Sequence, residues 1–133
     1  ETLKSCVRPT DCIARYGGDE FAILFQGVTL EIAKMVTERM RDKVASTNFD
    51  SQGVSKVAVT LSLGLAVAET TDTPESVFRK ADAALYRSKQ AGRNRLTVFT
   101  PEAAETLLSD CPERDLTPAE DTEHETKHEP IGV

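Results

Sequence analysis

At 133 residues the chain has room for one domain with a single core and too little for two. Its formal charge of −6 is unevenly spread: residues 1–100 hold 14 Lys and Arg against 12 Asp and Glu, whereas residues 101–133 hold 2 against 10. A slightly basic domain followed by a strongly acidic tail argues against nucleic-acid binding by the molecule as a whole, and the absence of any membrane-length apolar run or charged-then-apolar leader points to a soluble segment.

Cys6, Cys12 and Cys111 are odd in number and follow no C-x-x-C spacing, which suits free thiols in a reducing compartment better than a disulfide framework. Residues 1–7 read as the last turn of a helix, with Leu3 and Val7 on one face and no cap to start it. Cys12 to Tyr16 and Phe21 to Phe25 read as the two arms of a hairpin. The second arm is too apolar for a half-exposed strand, which places it centrally in a sheet. Between the arms, Gly17 and Gly18 suit a tight two-residue turn with positive φ, holding Asp19 and Glu20 at the head of the second strand.

Thr29 is an N-cap for an amphipathic helix over about 29–46, with Ile32, Met35, Val36, Met40 and Val44 on its apolar face and Lys34, Glu38, Arg41 and Asp42 on its wet side. Asn48 to Ser55 is a loop with room for a short strand edge. From Val57 to Val67 bulky residues alternate with Ala58, Thr60, Ser62, Gly64 and Ala66, the clearest strand pattern in the chain. Its small face suits a closely packed helix or a ligand, the helix being favoured, with the tightest approach at Gly64. Pro74, following Thr73, opens a helix to about Gln90 whose stripe is Val77, Phe78, Ala81, Leu85 and Tyr86, and Gly92 stops it. Leu96 to Phe99 is a last short strand. Past Pro101 a turn of helix is expected through Leu108, and then an acidic, Pro-containing, disordered tail; His124 and His128, four apart there, could share a helix face for a metal, but composition favours accident. No internal repeat is present.

Two carboxylates beside bare backbone make a seat for Mg²⁺ and phosphate oxygens; the bland alternative is a surface hairpin whose acids confer solubility. Lys89 and Arg93, four apart at a helix end, project in one direction, either complementing the helix C-terminus or presenting two cations to a ligand. Arg8 and Asp11 form an R-x-x-D pair, by itself readable as a local ion pair.

Gly17-Gly18-Asp19-Glu20-Phe21, preceded by Arg15-Tyr16, together with Arg8-Pro9-Thr10-Asp11 upstream and the segment from Ala81 to Asn94, resembles the GGDEF domain of the diguanylate cyclase family over about Leu3 to Phe99. The resemblance implies an α+β fold, a ferredoxin-like sheet with surrounding helices as in the palm of nucleotide cyclases and polymerases. The domain is expected to cover residues 1–100 and to lack that fold's first strand and most of its first helix. Residues 101–133 form the tail.

The implied reaction condenses two GTP into cyclic di-GMP with release of pyrophosphate, in a homodimer, because one half-site cannot close a two-fold symmetric ring. By resemblance Asp19 and Glu20 are the catalytic, metal-binding carboxylates for Mg²⁺ or Mn²⁺. Gly17 and Gly18 lie against the nucleotide, Lys89 and Arg93 hold its triphosphate, and Arg8 and Asp11, joined by Arg39 with Arg41 as fallback, form a product-inhibition site. A further metal-binding Asp and the guanine-reading groups of the family belong to upstream elements, so low activity of residues 1–133 is expected. The alternative is a non-catalytic cyclic di-GMP receptor module. A cytoplasmic location follows, either alone or as the cytosolic part of a larger signalling protein, with neither nucleic acid nor membrane as a partner of this segment.

Overall fold

The computed structural model describes residues 1–51 and 54–114. A 3-10 turn at Lys4–Cys6 leads into strands β1 (Cys12–Gly17) and β2 (Glu20–Leu24), helix α1 (Leu30–Ser46), strands β3 (Phe49–Ser51), β4 (Val54–Val57) and β5 (Leu63–Leu65), helix α2 (Pro74–Gln90) and strand β6 (Leu96–Val98). A second 3-10 turn at Pro101–Ala103 is continued by helix α3 (Ala104–Asp110). The expected α+β class is what is found. Among the described residues the strands form three two-stranded ladders, β1–β2 and β3–β4 antiparallel and β5–β6 parallel.

Both long helices start where local chemistry says they should. The Thr29 hydroxyl accepts from the Ile32 N–H, and Thr73 and Ser76 form a reciprocal capping box with Pro74 in the first turn. Each cap satisfies backbone donors that a helix cannot pair internally. α1 buries Ala33, Thr37, Met40 and Val44, whereas Met35, on the expected apolar stripe, is exposed.

At the seam between α2 and β5 two backbones come unusually close. A Cβ built on Gly64 would lie 2.2 Å from the Ala81 carbonyl oxygen and 2.3 Å from the Leu85 nitrogen, so only glycine lets the helix backbone come this near. Ala83, Ala84 and Ser88 are fully buried. The Ser88 hydroxyl donates to the Leu63 carbonyl and shares a hydrogen bond with the Thr97 hydroxyl, both at 2.7 Å, fastening α2 to both strands of the parallel ladder. The helix approach anticipated at Gly64 is therefore realised.

Four expectations need correction. The continuous strand over Val57–Val67 is broken: residues 58–62 belong to no ladder among the described residues, and Val57, Val59 and Val67 are exposed. Alternation reports which way side chains face, but strand length is set by a hydrogen-bonded partner, and β6 spans three residues. For the same reason β2, expected to be central, is bonded on one side among the described residues, with Phe21 and Leu24 exposed. The Asn48–Ser55 region is a hairpin rather than a loop with one strand edge. Finally, the glycine corner is turned without a left-handed glycine: positive φ occurs at Gly27 and Gly92, while a register shift between Arg15 and Gly17 absorbs the bend.

The chain continues beyond Phe99 into α3, which packs on α2 and buries Leu107. His124, His128 and the acidic tail from 115 onward lie outside the described residues.

Candidate functional site

The β1–β2 corner carries the signature. Gly17 pairs with Glu20, leaving Gly18 and Asp19 as the turn, and the Arg15 guanidinium donates twice to the Gly18 carbonyl, at 2.7 and 3.1 Å, so the turn is pinned from below. The space a side chain would fill at Gly18 is open, which leaves the main chain approachable by a ligand. The Tyr16 ring lies against that of Phe78, centroids 4.6 Å apart, seating the hairpin on α2.

Glu20 is the electrostatic focus. Lys89 Nζ, from the last turn of α2, donates to Glu20 Oε1 at 3.1 Å. The Arg114 guanidinium grips both oxygens, Nη1 to Oε1 at 3.0 Å and Nη2 to Oε2 at 2.6 Å. Arg114 and Lys89 together hold the Glu20 carboxyl at about 2, well below its usual range, against an opposing push from burial. Nη1 of Arg114 also stands 3.2 Å from Oδ1 of Asp82, a buried carboxylate on α2. The Cys111 thiol lies 3.7 Å from the other Asp82 oxygen, and burial with that neighbouring carboxylate pushes it up.

Of the residues proposed to hold a nucleotide, Glu20 and Lys89 are thus brought together across 69 positions of sequence. Asp19 sits beside them in the turn. Arg93 does not share a helix face with Lys89: α2 ends at Gln90, and Arg93 follows Gly92 in a left-handed turn with φ of 62°. The helix stop that composition signals at Gly92 is itself what carries Arg93 off the helical register.

A second candidate site lies at the far end of the hairpin. Arg8, Asp11 and Arg39 line one cavity of about 200 Å³, with Cys6, Phe25, Val28, Ile32 and Met35 among its other walls. The Asp11 carboxylate accepts from the backbone N–H of Arg8 at 2.9 Å and from that of Gln26 at 3.4 Å. The local Arg–Asp ion pair is therefore not the arrangement found, and Asp11 instead orders the loop. Arg39 donates to the Cys6 carbonyl at 3.3 Å on the cavity wall. Arg41, the fallback, is engaged elsewhere, with Glu38, Asp42 and Asn94.

Sequence reasoning missed Asp82 and Arg114. Asp82 carried a signal, being a lone carboxylate among Ala81, Ala83 and Ala84 on a helix. Arg114 carried a weaker one, as the single Lys or Arg between positions 101 and 126.

The family model for the diguanylate cyclase GGDEF domain matches residues 1–95. The chain is 41% identical over 96 residues to diguanylate cyclase DgcP of Pseudomonas aeruginosa, covering 72% of this chain and 14% of that protein. Against diguanylate cyclase A of Treponema denticola it is 39% identical over 97 residues, covering 72% and 26%. It therefore spans about a quarter or less of the length of these two relatives. Among solved structures it superposes on the coiled coil and GGDEF domain of DgcB from Caulobacter crescentus, crystallised with c-di-GMP, with a TM-score of 0.69 and 33% identity, over 73% of this chain and 52% of that one. With the signature corner, the parallel ladder and α2 arranged as described, the chain belongs to the GGDEF family of diguanylate cyclase domains.

Proposed function

We propose that this domain supplies one GTP half-site of a diguanylate cyclase, two copies facing each other to condense two GTP into cyclic di-GMP and two pyrophosphates. The observation that carries the reading is the meeting of Glu20 with Lys89 at 3.1 Å, a carboxylate from the glycine corner beside a cation from the end of α2. Mg²⁺ is commonly held by one or two carboxylates plus substrate phosphates, and Asp19 with Glu20 fits that donor set. A Mg²⁺ or Mn²⁺ ion there would neutralise phosphate charge and acidify the attacking 3′-hydroxyl.

The chain's own residues then have separable roles. Lys89 turns from Glu20 to the phosphates, and Arg93, displayed on its left-handed turn, adds a second cation from another direction. Gly17 and Gly18 let the nucleotide rest against main chain, and Arg15 keeps that corner from collapsing. The test is to incubate residues 1–133, and any longer chain that carries them, with GTP and Mg²⁺. Synthesis of cyclic di-GMP that Glu20→Gln abolishes supports the reading, and synthesis that survives the substitution refutes it.

The cavity bearing Arg8, Asp11 and Arg39 favours a second role, binding cyclic di-GMP either as an inhibiting product or, in a domain that does not turn over, as a receptor. An Arg fork reads the O6/N7 edge of guanine, a contact worth about 1–3 kcal/mol. Arg8→Ala should therefore weaken cyclic di-GMP binding by about tenfold or more in calorimetry, and unchanged affinity would dismiss the site. Binding that depends on Arg8 without GTP turnover in any chain would select the receptor reading.

A further inference from the structure

The family match ends at residue 95, yet the group most fully engaged with Glu20 comes from residue 114. We infer that the segment 101–114 is an inhibitory strap, in which Arg114 occupies the Glu20 carboxylate and excludes a divalent cation from it. The inference rests on the reading of Glu20 as a metal ligand and adds how access to that ligand is controlled.

Three features of the geometry support a strap rather than a chance surface pair. The contact is bidentate: each Glu20 oxygen accepts from Arg114, and Oε1 accepts from Lys89 as well. It has a seat of its own: the same guanidinium bridges to buried Asp82, so positive charge is held between two carboxylates, one on the hairpin and one on α2. And the segment is anchored, because α3 packs on α2 through buried Leu107, leaving a short tether of Cys111, Pro112 and Glu113 before Arg114. The Arg114 side chain is 36% exposed, so its release moves a group already partly in water. A guanidinium and a hydrated divalent cation compete for the same oxygens, so Arg114 must leave Glu20 for the ion to bind.

Mn²⁺ alone, titrated into the full 133-residue chain and followed by water-proton relaxation, tests this. Arg114→Ala should tighten Mn²⁺ binding by about tenfold, the order expected when a charge-assisted fork is removed from the ligand. Arg114→Lys, keeping the charge but losing the fork, should fall between that variant and wild type. Arg79→Ala removes the same charge from the same small cavity without touching Glu20 and should change the affinity less than about twofold by screened electrostatics alone. The gain in Arg114→Ala should disappear when Glu20→Gln is added. Equal effects of the Arg114 and Arg79 substitutions, or a gain that survives Glu20→Gln, would overturn the strap. If wild type and the Arg114 and Arg79 variants bind Mn²⁺ alike and Glu20→Gln abolishes binding, the strap falls while Glu20 stands as a ligand. If none binds Mn²⁺, Arg114→Ala included, both readings fall.

Discussion

Helix α2 is attached to the rest of the molecule in two physically different ways. At its middle, Gly64 and Ser88 hold it by close backbone approach and a buried hydroxyl that no solute can replace. At its C-terminal end, Lys89 holds Glu20 by an ionic contact that a phosphate or a metal could remake with either partner. The first attachment decides where Lys89 is, and the second decides what it meets. The proposed half-site would draw on both, since rigid packing places the exchangeable charges and does not itself exchange.

The most damaging way to break this division is at the seam. Gly64→Ala puts a methyl group where backbone already stands and should cost about 3 kcal/mol or more in urea unfolding; as α2 is pushed away, the ion pair between Lys89 and Glu20 should open. Full stability in that variant would mean the seam is not what fixes α2. Ser88→Ala removes a bridging hydroxyl and leaves the Leu63 carbonyl and Thr97 hydroxyl without it inside the packed layer. A loss of about 1–2 kcal/mol is expected by the same measurement.

Glu20→Gln sharpens the contrast from the other side. Because the ionic cluster sits at the partly exposed rim, stability should fall by less than about 1 kcal/mol, while the Mg²⁺-dependent part of GTP binding disappears. A large loss of stability would assign Glu20 to the scaffold. The smallest effect is with pH. A carboxyl held at about 2 when folded and near 4.5 when unfolded contributes stability that is complete above 4.5 and lost as pH falls toward 2. With Glu20 partly exposed, about 0.5 kcal/mol is expected over that window. The difference in stability between wild type and Glu20→Gln should shrink accordingly through it, and a constant difference would contradict the clamp.

What the sequence discloses follows the same division. Thr29, Thr73, Pro74 and Gly92 act within a few residues of themselves, and the helices start and stop where those residues dictate. Gly64 was legible because a glycine in a small-residue face has few other physical uses. The length of the strand around it was not, because alternation fixes faces and a distant partner fixes extent. At the corner, Lys89 and Glu20 were legible through the family resemblance, whereas Arg93 was misplaced by counting helical spacing across the glycine that ends the helix. Asp82 and Arg114 escaped for a further reason: their meaning is a three-way meeting of segments centred on residues 20, 82 and 114, and no local pattern encodes a partner so far away.

The placement of Cys111 turns this chain into its own stopwatch. The thiol leans on Asp82, three residues before Arg114, and is kept poorly ionised there, while Cys12 is exposed and Cys6 buried. An alkylating dye at neutral pH would mark Cys12 first. Cys111, half-buried against Asp82, would follow more slowly, and Mn²⁺ or nucleotide that displaces Arg114 should quicken it without any engineered probe.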